Sequence, residues 1–296
     1  MTELSFIDIL IIIVNGIIEG ITEWLPVSST GHMLIFDAFF PFDAEEGFKE
    51  MFFVVIQLGA ILAVVTVFFK KMIPVGIKTV EPVGQENTKI SKKLYIKTDT
   101  LIMWCKVALA CVPAAIIGLI FDDLLEKYFG KAIPISIMLV VYGVAFIIVE
   151  WLKKGKTPKC DSIGNITWVQ ALIIGAFQVL ALIPGTSRSG ATIIGALIIG
   201  ISRTAAAEFT FFLAVPTMFG ASILKIAKYG FSFTAAEIIA LLIGMVVAYA
   251  VSLVAIKFLM DFVKKHSFTA FGWYRIALGT VIFILALTVL PMLEAA

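Results

Sequence analysis

Charged residues are scarce in this chain. Only 15% of its 296 residues are Asp, Glu, Lys or Arg, whereas 60% are hydrophobic. Soluble globular domains carry about a quarter charged residues. The scarcity of charge therefore excludes an ordinary soluble domain and predicts an integral membrane protein, for which we expect the lipid bilayer, and no nucleic acid, as a partner.

Cysteine, histidine and arginine are also rare. Of three cysteines, Cys105 and Cys111 share one apolar segment and Cys160 lies in a polar loop, a spacing that suggests neither a disulfide framework nor a zinc site. The chain has two histidines, and only three of its 23 Lys and Arg residues are arginines. The N-terminal stretch carries Glu3 and Asp8 in place of a basic region, so we expect it to stay in the mature protein.

Long apolar runs dominate what is present. A helix needs about 20 apolar residues to cross the hydrocarbon core of a bilayer. Two regions, 6–40 and 166–202, are long enough but are interrupted by proline, glycine and hydroxyl residues, and we predict that each is a re-entrant helix–loop–helix hairpin. Six other runs are predicted to span the membrane: 51–69, 101–121, 133–151, 209–226, 238–258 and 271–290.

The two interrupted regions match each other weakly. A shift of 159 positions places Glu19 on Gln178, Ser28 on Ser187 and Gly31 on Gly190. An odd number of crossings in each half would invert the second half relative to the first. The predicted fold is an all-α polytopic membrane protein with six transmembrane helices and two re-entrant hairpins in an inverted-topology repeat. It forms one domain over 1–296, with a first repeat over 1–152 and a second over 163–296.

Lysine placement predicts the orientation. With six crossings, the loops 70–99, 152–165, 201–208 and 257–270 share one face and hold most of the lysines. The positive-inside rule makes that face cytoplasmic. Both termini are then predicted to lie outside the cytoplasm, and the first hairpin enters from outside while the second enters from the cytoplasm.

The first hairpin contains a cluster of polar side chains. Glu19 and Glu23 are four residues apart and project from one helix face, where two like charges need a cation, a shared proton or a basic partner. Mg²⁺ suits two carboxylates and phosphate oxygens. Ser28, Ser29 and Thr30 follow at the turn into the second helix, where hydroxyls and amides favour an anion, and His32 is a candidate acid, ligand or nucleophile.

The second hairpin has the composition of an anion cradle. Glycines let backbone amides approach an oxyanion closely. Arg188 offers a bidentate fork for phosphate, and an isolated charge in a membrane segment indicates function. The predicted cradle comprises Gly185, Thr186, Ser187, Arg188, Ser189 and Gly190.

These two motifs carry a family resemblance. Glu-Gly-x-Thr-Glu-(aromatic)-Leu-Pro-Val-Ser-Ser-Thr-Gly-His, followed by Pro-Gly-Thr-Ser-Arg-Ser-Gly-Ala-Thr-Ile, resembles the bacterial undecaprenyl-pyrophosphate phosphatase family associated with bacitracin resistance. The resemblance implies a hydrolase in the inner membrane that converts the C55 isoprenyl diphosphate lipid to its monophosphate for cell-wall synthesis. It also implies a divalent cation, Mg²⁺ or Ca²⁺, and leaves a homodimer open.

The resemblance also implies roles for individual residues. It carries Glu19 and Glu23 over as the acidic pair that binds metal, Ser29 or His32 as the nucleophile, and Arg188 as the diphosphate clamp, with Thr192 as a further polar position. Attack by water stays open. A transporter or flippase for the lipid carrier or an anionic solute is the alternative, which phosphate release in detergent micelles would distinguish.

Overall fold

A computed structural model describes residues 4–80 and 91–289, with only the backbone described for 77–80, 91–93 and 122. Glu3 and Lys89 lie outside the described residues. The described chain is almost entirely helical. Its helices and strands are α1 (Phe6–Thr22), α2 (Ser29–Phe39), α3 (Glu46–Val55), α4 (Gln57–Val67), α5 (Phe69–Met72), β1 (Val75–Val80), β2 (Ser91–Ile96), α6 (Thr98–Phe129), α7 (Ala132–Lys153), α8 (Trp168–Leu180), α9 (Arg188–Ile198), α10 (Arg203–Tyr229), α11 (Ala235–Lys265) and α12 (Thr269–Thr288).

Six helical segments of the described chain are long and apolar enough to cross a membrane, which confirms the six predicted spans. α3 and α4 together make the first, Glu46–Val67. Most of the segments extend beyond the apolar run that predicted them, because polar residues cap or continue the helix. α11, for example, begins after Thr234, whose side chain accepts a hydrogen bond from the N–H of Glu237 in a capping box.

The two interrupted regions each form a pair of helices separated by a short break. α1 and α2 form the first helix pair, and residues 23–28 between them are called the first tip. α8 and α9 form the second helix pair, and residues 181–187 are called the second tip. Pro26 and Pro184 lie in these tips. Proline removes a backbone donor and ends a helix, which accounts for the two breaks.

One element lies outside the helical prediction. β1 and β2 form an antiparallel two-stranded sheet, with Val75 opposite Ile96 and Val80 opposite Ser91. Its strands lie in the lysine-rich region 70–99, which the sequence analysis predicted to be a loop. The apolar residues of these strands are too few and too mixed with lysines to give a clear alternating pattern.

α1 packs against α11 through glycines. A Cβ atom on Gly16 would lie 2.9 Å from the carbonyl oxygen of Gly244, and one on Gly20 would lie 2.9 Å from that of Ala248. Small residues of this kind let two membrane helices approach at backbone distance. The contact fixes the position of α1 and therefore of Glu19 and Glu23, which it carries.

Contacts join several helix ends at one end of the helical bundle. The Arg203 guanidinium donates to Glu150 at 2.8 Å, and the backbone N–H of Phe268 donates to the same carboxylate at 2.8 Å. Lys71 pairs with Glu208 at 2.7 Å. These contacts join α5, the end of α7, and the beginnings of α10 and α12, all of which the lysine distribution predicts to lie at one face.

Candidate active site

The two tips meet at the carboxylate of Glu23. Its backbone N–H donates to Glu19 O at 3.1 Å, so it continues the geometry of α1 and projects one turn beyond Glu19. Ser29 Oγ donates to Glu23 Oε2 at 3.1 Å, and Arg188 Nη2 donates to Glu23 Oε1 at 3.1 Å. Ser29 and Arg188, from the two helix pairs, thus share one buried carboxylate.

A serine with an uncommon backbone conformation sets up each tip. Ser28 has φ 76° and Ser187 has φ 70°, values that L-residues other than Gly, Asn and Asp seldom adopt. The Ser28 side chain accepts a hydrogen bond from Gly31 N–H at 3.4 Å, and Ser187 accepts one from Gly190 N–H at 3.3 Å. Each serine caps the following helix, so Ser29 and Arg188 become the first helical residues and face Glu23.

The Arg188 side chain keeps a donor free. Its Nη1 donates to the carbonyl oxygen of Thr210 at 3.0 Å, and its Nη2 is held by Glu23. Its Nε atom is buried and has no hydrogen-bond partner among the described residues, and the same is true of Thr186 Oγ1. Buried donors without partners are costly unless a ligand satisfies them, and a phosphate oxygen is a suitable acceptor.

Glu19 is fully buried and neither of its carboxylate oxygens has a hydrogen-bond partner among the described residues. It lies within electrostatic reach of Glu23 and Arg188. The part of the chain that the structure describes has no group of three or more His, Cys, Asp and Glu side chains that could hold a metal. Glu19 therefore offers two free acceptors for a cation, while Glu23 is shared between Ser29 and Arg188.

His32 makes its hydrogen bonds away from Ser29. Its Nδ1 lies 2.7 Å from Ser28 O, and its Nε2 lies 2.7 Å from the hydroxyl of Tyr274 on α12. A carbonyl oxygen only accepts, so Nδ1 carries the proton in the neutral ring and Nε2 accepts from Tyr274. The base that contacts Ser29 in this structure is Glu23.

Arg275 is a residue of this site that the sequence analysis missed. The side chain is fully buried and reaches both tips. Its Nη1 donates to Pro26 O at 3.3 Å, and its Nη2 donates to Gly185 O at 2.8 Å and to Thr186 O at 2.9 Å. Arg275 therefore joins the first tip to the second from α12. The signal was an arginine inside an apolar run, the same signal that identified Arg188.

The predicted catalytic and phosphate-binding residues fall into two groups. The group that lines a cavity comprises Glu23, Ser29, Thr30, Gly185, Ser187 and Arg188. The others support the tips. Ser189 Oγ donates to Glu23 O at 3.1 Å, and Thr192 Oγ1 lies 2.9 Å from Thr210 Oγ1. Those that do not line the cavity are Glu19, Ser28, His32, Thr186, Ser189, Gly190 and Thr192.

The cavity has a volume of ≈ 690 Å³ and extends from Glu23 and Arg188 along α6 and α10. Its walls are largely apolar and include Leu119, Leu182 and Leu224, which suits a hydrocarbon chain. Its far end is at Lys225 and Ala227, near the C-terminal end of α10.

Ion pairs lie beside this far end of the cavity. Lys225 pairs with Glu50 of α3 at 3.3 Å, and Lys228 pairs with Asp123 of α6 at 3.0 Å. The hydrogen bond from Lys228 lowers the pKa of the Asp123 carboxyl. Exposed pairs such as these are weak and readily exchanged. They mark the end of the cavity that is remote from the lysine-rich loops.

Known proteins match most of the chain. The family model described as bacitracin resistance protein BacA matches residues 12–281. An undecaprenyl-diphosphatase of Enterococcus faecalis is 57% identical over 95% of this chain and 98% of its own. Similar proteins of the same name from Desulfitobacterium hafniense and Lactococcus lactis subsp. cremoris are 49% and 51% identical, each over 94% of this chain and 96% and 97% of their own.

Proposed function

Because the chain belongs to the family of the bacitracin resistance protein BacA, we infer that it is an undecaprenyl-diphosphate phosphatase like the relatives it resembles. It hydrolyses undecaprenyl diphosphate to undecaprenyl phosphate and inorganic phosphate, which returns the lipid carrier to cell-wall synthesis. The observation that carries this function is the Glu23 carboxylate, which holds a serine hydroxyl and an arginine at the end of an apolar cavity. The alternative of a pure transporter or flippase is not favoured.

Ser29 is the proposed nucleophile and Glu23 its base. Ser29 Oγ attacks the terminal phosphorus as its proton passes to Glu23 Oε2, the acceptor at 3.1 Å. The bond from that phosphorus to the bridging oxygen breaks, and undecaprenyl phosphate leaves. Glu23 gives that proton to the departing lipid phosphate and is again a carboxylate. Water then attacks the phosphoserine as Glu23 takes one of its protons, the bond from phosphorus to Ser29 Oγ breaks, Glu23 returns the proton to Oγ, and inorganic phosphate is released.

Arg188 is the proposed clamp on the terminal phosphate. Its free Nε–H is the donor available to a phosphate oxygen, while Thr210 O and Glu23 hold the guanidinium in place. Donors that are fixed before the reaction stabilise charge that develops on the transferring group. His32 is proposed as a positioning residue, because its Nδ1–H holds the carbonyl of Ser28 at the start of α2.

The unpartnered carboxylate of Glu19 fits a divalent cation, with Glu23 as the second carboxylate ligand. Mg²⁺ and Ca²⁺ prefer oxygen ligands, and Mg²⁺ often binds through one or two carboxylates together with substrate phosphate. Such an ion supplies neutralisation of phosphate charge when bound. Without it, two carboxylates one turn apart share a single arginine.

We also propose the membrane arrangement. Each helix pair is a re-entrant hairpin, and 1–152 and 163–296 are inverted repeats, an arrangement supported by the two serine-capped tips that meet at one carboxylate. The protein lies in the bacterial plasma membrane with the lysine-rich loops in the cytoplasm and both termini outside. Since the cavity ends away from those loops, the site opens to the extracytoplasmic side. The homodimer that the resemblance left open stays open.

The test is phosphate release from a long-chain isoprenyl diphosphate in detergent micelles, where transport is impossible. We expect release by the wild type with Mg²⁺ or Ca²⁺, none with a chelator, and restoration when the cation is returned. Glu19→Gln is expected to need a higher cation concentration than the wild type. Release that is unaffected by the chelator would refute the metal proposal, and no release from folded wild-type protein would refute the hydrolase.

A further inference from the structure

Three side chains that the proposed mechanism does not use meet in the wall of the cavity. Gln178 of α8, Thr217 of α10 and Cys111 of α6 all line it. Thr217 Oγ1 lies 3.5 Å from Gln178 Oε1 and 3.5 Å from Cys111 Sγ. The surrounding wall is largely apolar, so this cluster gives the cavity a second polar region beyond its catalytic end.

The Gln178 carboxamide is buried without adequate hydrogen bonds. Gln178 is 2% exposed, and its Nε2 has no partner among the described residues. Thr217 has one hydroxyl proton, which it donates to Leu213 O at 2.8 Å, so its contact with Gln178 is weak. If the amide were rotated by 180°, Thr217 could accept only one of the two N–H groups. Either orientation leaves an amide N–H for a ligand.

The cluster lies farther along the cavity than the clamp. Thr217 follows Thr210, whose carbonyl holds Arg188, by two helical turns, which is about 10 Å along the axis. Gln178 contacts Thr217 and so lies near that farther level, and both Arg188 and Gln178 line the cavity. Cys111 lies within electrostatic reach of Arg188. A ligand held by Arg188 at one end therefore passes Gln178 on its way toward the apolar wall.

We propose that Gln178 binds the lipid-linked phosphate of an isoprenyl diphosphate, with Thr217 positioning the carboxamide. The proposal rests on the phosphatase function, in which this phosphate belongs to the leaving group. An amide N–H stabilises negative charge that builds on that group and adds no positive charge to retain the product. Gln178 occupies the register position of Glu19, and a carboxylate at this point of the second helix pair would repel the phosphate.

The test measures binding of farnesyl phosphate and of farnesol to purified protein in detergent, together with inhibition of phosphate release by farnesyl phosphate and by inorganic phosphate. Gln178→Met keeps the length and apolar packing of the side chain and removes its donors. We expect this substitution to weaken farnesyl phosphate about tenfold, as loss of a hydrogen bond to a charged group does. Farnesol binding and inhibition by inorganic phosphate are expected to stay unchanged.

Two further substitutions make the result specific. Gln57→Met alters the other glutamine of the cavity wall, on α4, and is expected to leave the preference for farnesyl phosphate over farnesol unchanged. Thr217→Val is expected to weaken farnesyl phosphate about threefold through loss of orientation, and it tests the proposal independently if Gln178→Met does not fold.

The proposal is overturned if Gln178→Met binds farnesyl phosphate like the wild type, if it weakens farnesol equally, or if Gln57→Met has the same selective effect. Failure of the phosphatase function gives a different pattern. In that case the wild type binds farnesyl phosphate in a Gln178-dependent way but releases no phosphate from the diphosphate.

Discussion

The two helix pairs share a local design but differ in burial. In each pair a serine with positive φ precedes a helix of 11 residues, α2 or α9. In α2 only Gly31 and Met33 are buried, whereas in α9 all nine residues from Ser189 to Leu197 are buried. The same backbone turn is thus used once near the surface of the helical bundle and once inside it.

This difference separates the functions of the two helix pairs. Ser29 and Arg188 occupy matching positions in the register of 159, and they bind the two different oxygens of Glu23. Packing on every side of α9 fixes the guanidinium, as a binding group requires. α2 is less enclosed and presents Ser29 at the cavity, as a group that must react with an incoming lipid requires. The turn sets where the side chain lies, and burial sets how freely it moves.

Removal of the Ser29 hydroxyl, the reacting group of the first helix pair, is expected to have the largest effect. Ser29→Ala should lower kcat for phosphate release by about 10⁴-fold or more, since loss of a nucleophile removes the covalent step. Ser189→Ala removes the hydroxyl of α9 that donates to Glu23 O, and it should lower kcat by about tenfold. A Ser29→Ala enzyme with more than a tenth of wild-type activity would exclude the serine nucleophile.

Replacement of Arg188, the binding group of the second helix pair, should have a smaller effect. Arg188→Lys is expected to lower kcat/KM by about 10²–10³-fold, because an ammonium group cannot contact Thr210 O, Glu23 and a phosphate oxygen in the same fork geometry. The matched control is Arg203→Lys, in which the arginine paired with Glu150 at another part of the molecule is changed. Its kcat/KM should stay within about twofold of the wild type. Equal losses in both variants would show a general effect of arginine removal.

Separation of the two tips should affect stability as well as rate. Arg275→Met leaves the carbonyls of Pro26, Gly185 and Thr186 without their donor. We expect a loss of about 3 kcal/mol in the free energy of unfolding and of about tenfold in kcat. Denaturant unfolding in detergent and phosphate release measure the two effects. Arg275→Lys should be intermediate, and unchanged stability in Arg275→Met would contradict the bridging role.

The smallest effect concerns the shared turn. Ser28→Ala and Ser187→Ala should each cost about 2 kcal/mol, because alanine neither caps the helix nor tolerates positive φ. The glycine substitutions lose the cap but relieve the backbone, and should cost about 1 kcal/mol less than alanine. Thermal unfolding of the four variants measures both differences. If the alanine variant were more stable than the glycine variant at either position, the positive φ would not be strained there.

Much of the architecture could be predicted because its determinants are local. The six spans follow from apolar length, and the two breaks follow from Pro26 and Pro184. Glu23 pairs with Arg188, a basic partner of the kind that the two neighbouring glutamates were expected to need, in a chain where arginine is rare.

The remaining features depend on contacts that no local pattern shows. Tyr274 meets His32 across 242 positions, and nothing in the sequence near either residue indicates the other. The division of the cradle into Ser187, which lines the cavity, and Ser189, which supports Glu23, depends on how α9 is rotated against α1. Arg275 could have been found by applying to α12 the rule that identified Arg188.

The position of Arg275 has a consequence for biosynthesis. The ribosome completes the first tip at residue 28 and the second at 187, long before α12 is made. Until α12 packs, the carbonyls of Pro26, Gly185 and Thr186 lack the guanidinium that joins them. A nascent chain released before that point carries every reactive side chain but not the geometry that makes them work together. Full activity is therefore expected only once α12 has packed, since loss of the Arg275 contacts alone should lower kcat about tenfold.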